Sequence, residues 1–191
     1  MPWRMARQMI TVHTEAQAFS TTECETIIDI MRNAKARDAG LVGQNKDHNL
    51  RRADVVWLDD VPEASWVMDR IVDIVRVANR NVFDFDLREF AESPQVARYG
   101  AERQGHFGWH SDIGEGSVAG KRKLTMVAQL SPPEAYHGGA LEVQPSANVT
   151  TAPRAQGSVT FFPSFLLHRV TPVTEGERYS LTIWAHGPVF R

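Results

Sequence analysis

Residues 157–173 read G-S-V-T-F-F-P-S-F-L-L-H-R-V-T-P-V. Two short runs rich in β-branched and aromatic residues, 158–162 and 168–173, flank a Pro-Ser turn, and this pattern predicts two strands. Further runs of the same kind, separated by Gly, Pro, Ser and Asn, occur at 95–99, 124–130, 140–143 and 178–186. Several short strands at close spacing predict an all-β sandwich or barrel over residues 93–191.

The first 92 residues carry two helical patterns. Thr22 and Glu25 predict a capping box ahead of apolar residues at 27, 30, 31 and 34, and Pro62 predicts the start of a second helix with apolar residues at 67, 71, 74, 75, 78 and 82. Short strands are predicted at 9–12 and 53–58, with a polar, glycine-containing loop or hairpin at 40–51. The predicted fold is therefore mainly β: a double-stranded β-helix (jelly roll, cupin-like) with two helices packed on one sheet.

Composition favours one domain and excludes some partners. The 191 residues predict a single domain, with 1–92 as helical support and lid hairpin and 93–191 as the jelly-roll core. A formal net charge of -2 indicates no nucleic-acid partner. The single cysteine, Cys24, excludes an internal disulfide, and no segment is apolar enough to cross a membrane. Charges in the first residues argue against a signal peptide, so a cytoplasmic location is expected.

The segment H-F-G-W-H-S-D, residues 106–112, contains a candidate metal site. On a strand His110 and Asp112 share one face, because side chains alternate with a period of two. His168 begins a later strand that a jelly roll can fold back toward this pair. Two imidazoles and one carboxylate on one face of an octahedral metal suit non-haem iron(II) oxygenases. His106 lies on the same face of a regular strand and is the rival ligand.

Arg178 adds a second feature ten residues after His168. On its strand Arg178 shares a face with Ser180, Thr182 and Trp184. An always-charged, planar donor that faces a metal cavity needs an acid to bind. A dicarboxylate co-substrate whose other end chelates the metal would meet that need.

Over most of its length the chain resembles the iron(II)/2-oxoglutarate-dependent dioxygenases, most closely PKHD-type hydroxylases and prolyl 4-hydroxylase-like enzymes. The motifs are A-R-Y-G, H-F-G-W-H-S-D, Q-L-S, G-G-A-L-E-V, the opening 157–173 stretch and R-Y-S-L-T-I-W. The resemblance implies that His110, Asp112 and His168 ligate Fe(II) and that Arg178 holds the distal carboxylate of 2-oxoglutarate. It further places three residues beside that carboxylate: Tyr99, Ser180 as a hydroxyl donor, and Gln129 where prolyl hydroxylases often carry a tyrosine.

The reaction implied by the resemblance is hydroxylation of an unactivated C–H bond with O2, with release of succinate and CO2 and with ascorbate as a reductant. A prolyl residue in a polypeptide is the expected substrate, and a free amino acid or other small molecule is the alternative. The polypeptide expectation follows from the few charges predicted to face the metal, since Arg51 and Arg52 read as a solvated pair beside the lid. Arg52, Trp109 and Trp184 are the candidate substrate contacts, and residues 40–51 and 114–120 are the predicted lids.

Two other classes of function stay open at this point. A zinc hydrolase can use two histidines and a carboxylate, with Glu115 or Glu142 as its base, but Arg178 then has no role. A cupin-like metal-binding protein without turnover is the other alternative. The oligomeric state cannot be read from these motifs.

Overall fold

The computed structural model describes residues 11–34, 37–38 and 49–190. The strands in this part of the chain, β1 to β13 in order, are His13–Glu15, Arg37–Asp38, Arg51–Arg52, Asp54–Trp57, Gln95–Gly100, His106–His110, Arg122–Gln129, Tyr136–Gly138, Leu141–Gln144, Thr150–Thr151, Val159–Pro163, Leu167–Val170 and Val173–His186. The helices are α1, Thr21–Asn33, and α2, Ser65–Ala78. Short 3-10 turns occupy Leu58–Asp60, Pro62–Ala64, Ala101–Arg103, Ala119–Lys121 and Pro133–Ala135, and a π-helical turn, Asn79–Phe83, follows α2.

The described strands form two sheets that pack face to face. The larger sheet has the order β1-β11-β7-β13-β5-β4-β2, with β8 also pairing with β13, and the smaller sheet has the order β10-β9-β12-β6-β3. Apolar side chains from both sheets meet between them, including Val55, Ala97, Val127, Phe162, Leu141, Val143 and Val170. The prediction of a β sandwich in the C-terminal half is confirmed.

Both helices lie on the outer face of the larger sheet. The buried stripe of α1 (Cys24, Ile27, Ile28, Met31) and that of α2 (Val67, Ile71, Val75, Ala78) share one hydrophobic cluster with Met126, Leu181 and Ile183 of the sheet. The helices therefore cover the face of the larger sheet that points away from the smaller sheet. The predicted division at residue 92 and the single-domain reading stay predictions.

Helix α1 begins earlier than the predicted capping box. Ser20 is the N-cap residue: its hydroxyl accepts from the Glu23 backbone, and the Glu23 carboxylate accepts from the Ser20 backbone at 2.8 Å. The prediction that used Thr22 and Glu25 was therefore wrong by two residues. The sequence contains two overlapping capping-box patterns, Ser20 with Glu23 and Thr22 with Glu25. The backbone N–H of buried Phe19 donates to the Gly157 carbonyl at 3.0 Å, and this contact fixes the chain just before Ser20, so the first pattern is used.

Two N-terminal predictions change or cannot be compared. The first two residues of the strand predicted at 9–12 lie outside the described residues, and Thr11 and Val12 are not in a strand; the first described strand is His13–Glu15. Most of the loop predicted at 40–51 lies outside the described residues, and its last residue, Arg51, belongs to strand β3. No helix in the described ranges is long and apolar enough to cross a membrane.

Cys24 gives a simple test of the packing of α1. Its side chain is fully buried, and burial raises the pKa of the thiol to about 11. We expect a thiol reagent at pH 8 to label the folded protein at least about 100-fold more slowly than the urea-unfolded protein, because both the thiolate fraction and access are reduced. Equal labelling rates in the two states would show that α1 does not pack on the sheet as described.

Candidate active site

His110 and His168 face each other across the smaller sheet. They are directly paired in β6 and β12, and their ring centroids are 4.1 Å apart. The pairing shifts between this pair and the next one, Val170 with Phe107, so β6 carries an extra residue there. A bulge of this kind turns the side chains on one strand, and such bulges are common beside active sites.

The bulge also settles the position of His106. The two ring nitrogens of His106 lie 2.8 Å from the Gln104 carbonyl and 3.0 Å from the Asn49 carbonyl, away from the paired histidines. On a regular strand His106 and His110 would share a face. Because β6 is irregular, His106 does not reach the candidate metal site.

Asp112 completes a cluster with the two histidines. Its Oδ1 lies 3.6 Å from His110 Nε2, and its Oδ2 lies 3.4 Å from His168 Nε2. Asp112 does not lie on the strand as predicted: β6 ends at His110, and the Asp112 backbone N–H donates to the Ser164 carbonyl at 3.0 Å. The loop nevertheless carries the carboxylate to the histidine pair, and the ligand atoms of all three residues lie within 4.8 Å of one another.

The histidine tautomers suit a metal. His110 Nδ1 lies 2.7 Å from the Gly108 carbonyl, and His168 Nδ1 lies 3.0 Å from the Leu166 carbonyl. Each carbonyl can only accept, so each Nδ1 carries the proton and each Nε2 lone pair points to Asp112. Ligands roughly 2.1 Å from a metal and at right angles to each other lie about 3 Å apart, close to the separations observed here.

The charge states of the cluster also fit metal ligands. Burial, together with the neighbouring His168, lowers the pKa of His110 to about 4, so its ring is neutral at pH 7. Burial by itself would raise the pKa of Asp112, but the adjacent histidines and the Thr125 hydroxyl hold it below the ordinary value. A neutral imidazole and an ionised carboxylate are the forms that bind metals.

Thr125 and Ser164 fix the Asp112 carboxylate through a chain of two hydrogen bonds. The Thr125 hydroxyl donates to Asp112 Oδ2 at 2.7 Å, and Ser164 Oγ lies 3.0 Å from the same hydroxyl oxygen. Since the single proton of Thr125 goes to Asp112, Ser164 is the donor to Thr125. Both residues are completely buried, so this chain fixes the orientation of the carboxylate.

Thr125→Val should test this positioning role. The substitution keeps the shape but removes the donor to Asp112, and we expect iron affinity to fall by about 10- to 100-fold with little change in fold. Thr160→Val, at another buried threonine of the larger sheet, is the matched control and should bind iron normally. Calorimetric titration with Fe(II) under anaerobic conditions measures both, and equal affinities in the two variants would contradict the role of Thr125.

Arg178 occupies the other end of the same cavity. Its side chain is fully buried, and no carboxylate among the described residues forms an ion pair with it. Its Nη2 donates to Gln129 Oε1 at 2.5 Å, its Nη1 lies 3.5 Å from Ser180 Oγ, and its buried Nε has no hydrogen-bond partner in the described part of the chain. Burial lowers the pKa of Arg178, as expected for a cation without a counter-ion. This guanidinium fits the distal carboxylate of a small dicarboxylate.

The residues predicted beside Arg178 are all in place, and one was missed. Tyr99 pairs with Arg178 across β5 and β13, with the Arg178 Cζ 5.4 Å from its ring centroid. The missed residue is Tyr136, whose hydroxyl accepts from Gln129 Nε2 at 3.2 Å. Gly139 passes over the Arg178 side chain with φ +60, and a Cβ there would lie 3.1 Å from Arg178 Cδ. No local pattern marks Tyr136, because β8 reaches the site only through its pairing with β13.

The three candidate substrate contacts fall in different places. Trp184 lines the cavity, with the guanidinium of Arg122 3.9 Å from its ring centroid. Trp109 is 37% exposed and stacks with Arg169 outside the cavity. Arg52 also lies outside the cavity lining and contacts the Arg103 carbonyl at 3.4 Å, whereas its neighbour Arg51 lines the cavity. The expectation of a solvated Arg51–Arg52 pair was therefore wrong for Arg51.

The base predicted for a zinc hydrolase has no support in the described cavity. Glu142 is bound by Arg169 at 2.7 Å, and Glu115 lies in an exposed loop, so neither lines the cavity that contains the histidines. Apart from Asp112, no carboxylate is present in that lining among the described residues. Arg122 was not predicted, and it also supports the site by donating to the Asp112 carbonyl at 2.9 Å while it pairs with Glu92.

Comparison with known proteins gives one family over the half of the chain that carries this site. Residues 94–186 match the family described as the 2OG-Fe(II) oxygenase superfamily. A PKHD-type hydroxylase of Hyphomonas neptunium is 37% identical over 86 residues, which cover 44% of this chain and 38% of that relative. The chain thus matches well under half of the length of that curated relative.

Solved structures show the same fold over nearly the whole chain. A Pseudomonas putida prolyl-4-hydroxylase superposes with a TM-score of 0.74 at 20% identity and covers 92% of both chains. A Trichoplax adhaerens prolyl hydroxylase, in complex with a hypoxia inducible factor oxygen degradation domain peptide fragment, gives a TM-score of 0.77 at 15% identity, with 92% of this chain and 83% of that chain covered. The predicted jelly roll with two helices is confirmed by these likenesses.

Proposed function

We propose that this chain, whose residues 94–186 match the 2OG-Fe(II) oxygenase superfamily, is an iron(II)- and 2-oxoglutarate-dependent dioxygenase that hydroxylates an unactivated C–H bond. One observation carries the proposal: the His110–Asp112–His168 cluster lines the same cavity as Arg178, which is fully buried and forms no ion pair with a carboxylate in the described part of the chain. A metal site alone would fit a hydrolase or a binding protein. The anion site beside it is what an oxygenase with a dicarboxylate co-substrate requires.

In this proposal each group has a distinct task. His110, Asp112 and His168 hold the metal, and the distal carboxylate of 2-oxoglutarate binds Arg178. Iron(II) with bound 2-oxoglutarate and O2 supplies the oxidising chemistry, which yields succinate, CO2 and the hydroxylated product. The remaining lining is largely apolar, with Phe107, Val127, Leu141 and Val170, and it excludes water from the reacting groups.

The other residues around Arg178 orient it for the co-substrate. Gln129 takes the place of a tyrosine in the expected pattern, and its amide links Arg178 to the Tyr136 hydroxyl. Ser180 lies beside the same guanidinium and offers its hydroxyl to the bound carboxylate. Tyr99 packs against the guanidinium and contributes to binding that carboxylate. Ascorbate would serve as a reductant that keeps the iron in the Fe(II) state.

A prolyl residue in a polypeptide is the first substrate candidate. It is supported by the likeness in fold to prolyl hydroxylases, one of which was solved with a peptide fragment. The second candidate is a free amino acid or another small acid. It is favoured by Arg51 in the cavity lining, because the sequence argument against a small charged substrate rests on there being few charges that face the metal besides Arg178. A cytoplasmic location is part of the proposal, since the lone Cys24 leaves no internal disulfide to form in an oxidising compartment.

The reaction class can be tested without knowing the substrate. Succinate production from 2-oxoglutarate should require iron(II) and O2, and mass spectrometry of peptide and amino-acid panels should show a gain of one oxygen atom in the true substrate. Zinc in place of iron should give no succinate, because Zn²⁺ has no redox chemistry. Hydrolysis by the zinc-loaded protein, with no succinate from the iron-loaded protein, would favour the hydrolase instead.

A further inference from the structure

A second guanidinium faces the candidate metal site. Arg51 of β3 lines the same cavity as His110, Asp112 and Arg178. Its strand pairs with β6, and Arg51 lies opposite Phe107, so its side chain points into the sandwich while that of Arg52 points away. Nothing in the proposed reaction has yet given Arg51 a task.

The guanidinium of Arg51 is held in a fixed place beside the metal ligands. Its Cζ lies 4.6 Å from the Phe107 ring centroid, and the Phe107 ring stacks on the His110 ring with centroids 3.5 Å apart. Its Nη2 donates to Gln95 Oε1 of the opposite sheet at 2.9 Å. These contacts orient the group by stacking and by one neutral acceptor, and neither of them neutralises its charge.

The partners of Arg51 differ from those of two other half-buried arginines, Arg98 and Arg122. Arg98 is paired with Asp54 and Glu177, and Arg122 is paired with Glu92. Among the described residues no carboxylate pairs with Arg51, and its Nε is buried without a hydrogen-bond partner. A half-buried guanidinium with an unused donor is prepared to bind an anion that comes from outside the fold.

The charges present when metal and 2-oxoglutarate are bound indicate which anion Arg51 would bind. A divalent metal, Arg51 and Arg178 contribute four positive charges, whereas Asp112 and the two carboxylates of 2-oxoglutarate contribute three negative charges. The near carboxylate of 2-oxoglutarate has the metal as its partner, and the distal one has Arg178. One positive charge is left, and it belongs to Arg51.

We infer that Arg51 binds a carboxylate of the primary substrate and so selects acids with a free carboxylate near the reacting C–H bond. This inference rests on the proposed function and narrows its substrate class to a free acid, such as an amino acid or a C-terminal residue, over the corresponding amide or an internal peptide residue. Arg51 then acts as a substrate-binding residue, while Arg178 stays with the co-substrate.

Binding to a protein that cannot turn over gives the test. The zinc-loaded protein with 2-oxoglutarate is titrated calorimetrically with a panel of free amino acids, beginning with proline, and with their amides and N-acetylated acids. We expect binding by at least one free acid and about 10- to 100-fold weaker binding of its amide, as expected for the loss of one charge-assisted hydrogen bond. Arg51→Gln should abolish this preference, Arg51→Lys should keep part of it, and Arg52→Gln should leave it unchanged.

The alternative source of the carboxylate is 2-oxoglutarate itself. If Arg51 binds only the substrate, Arg51→Gln should bind 2-oxoglutarate within about threefold of the wild-type affinity. If Arg51→Gln lost as much 2-oxoglutarate affinity as Arg178→Met, the carboxylate bound by Arg51 would belong to the co-substrate, and the inference would be overturned. It would also be overturned by equal binding of acid and amide, or by an absence of any acid binding at millimolar concentration. Failure of the wild-type protein to bind 2-oxoglutarate would contradict the proposed function instead.

Discussion

Asp112→Ala is expected to abolish iron-dependent turnover and to lower iron affinity by more than about 100-fold. Loss of a residue that only supports a ligand costs 10- to 100-fold in affinity, so loss of the ligand itself costs more. Asp112 is also the one carboxylate that lines the described cavity, so its removal leaves a bound metal without a negatively charged protein ligand there. Anaerobic Fe(II) titration and succinate formation measure the two effects.

A matched pair of histidine variants identifies the other ligands. His110→Ala should lose iron binding as Asp112→Ala does, whereas His106→Ala should keep it, because the His106 ring contacts two backbone carbonyls outside the cluster. Far-UV circular dichroism should stay close to wild type in all three variants. The assignment would be wrong if His106→Ala lost iron while His110→Ala kept it.

Arg178→Met is expected to weaken 2-oxoglutarate binding by at least about 10-fold and up to several hundredfold while iron affinity changes little. The guanidinium is completely buried, and its hydrogen-bond partners among the described residues, Gln129 and Ser180, are neutral, so a bound carboxylate would form charge-assisted hydrogen bonds there. Each such bond contributes about 1.5 to 3 kcal/mol, which is roughly 10-fold or more in affinity.

Two further variants separate charge from packing in this prediction. Arg178→Lys keeps a positive charge but not the planar pair of donors, and it should recover only part of the affinity. Arg76→Met, at an exposed arginine of α2, should bind 2-oxoglutarate normally. Calorimetry with the zinc-loaded protein measures all three, and unaltered 2-oxoglutarate binding by Arg178→Met would remove the main argument for this reaction class.

The candidate metal ligands could be predicted from sequence because the two-residue separation of His110 and Asp112 brings their side chains together even though Asp112 is in a loop and not on the predicted strand. Asp112 is not on a strand, yet the two-residue separation from His110 still brings both side chains to His168. Arg178 could be predicted for a similar reason, since the pairing of β13 is regular over 177–185 and residues 178, 180, 182 and 184 line one cavity.

The positions of the other residues of the site depend on which strands pair and in which register, and these cannot be predicted from the sequence alone. On a regular strand His106 shares a face with His110, but the bulge in β6 directs it away from the cavity. Trp109 is adjacent to His110, and its side chain lies outside the cavity against Arg169. Arg51 and Arg52 are adjacent and chemically identical, and only the pairing of β3 with β6 decides which one faces the cavity. Tyr136 enters through pairing with β13, a contact between segments about forty residues apart in sequence.

The position of Arg51 in the cavity changes which class of substrate is expected. The expectation of a polypeptide rests partly on the few charges predicted to face the metal, but Arg51, predicted to be solvated beside the lid, lines the cavity. The proposed role of Arg51 favours an acid with a free carboxylate over an internal prolyl residue of a peptide. The acid and amide panel described above distinguishes these two substrate classes.

Succinate formed from 2-oxoglutarate by the purified protein is the most direct measure of the central claim. With iron(II), O2 and 2-oxoglutarate present, we predict succinate production that stops when any one of the three is withheld, and that is lost in both Asp112→Ala and Arg178→Met. Succinate formation that persists in both variants, or its absence from the iron-loaded wild-type protein in the presence of both the peptide and the amino-acid panels, would contradict the account.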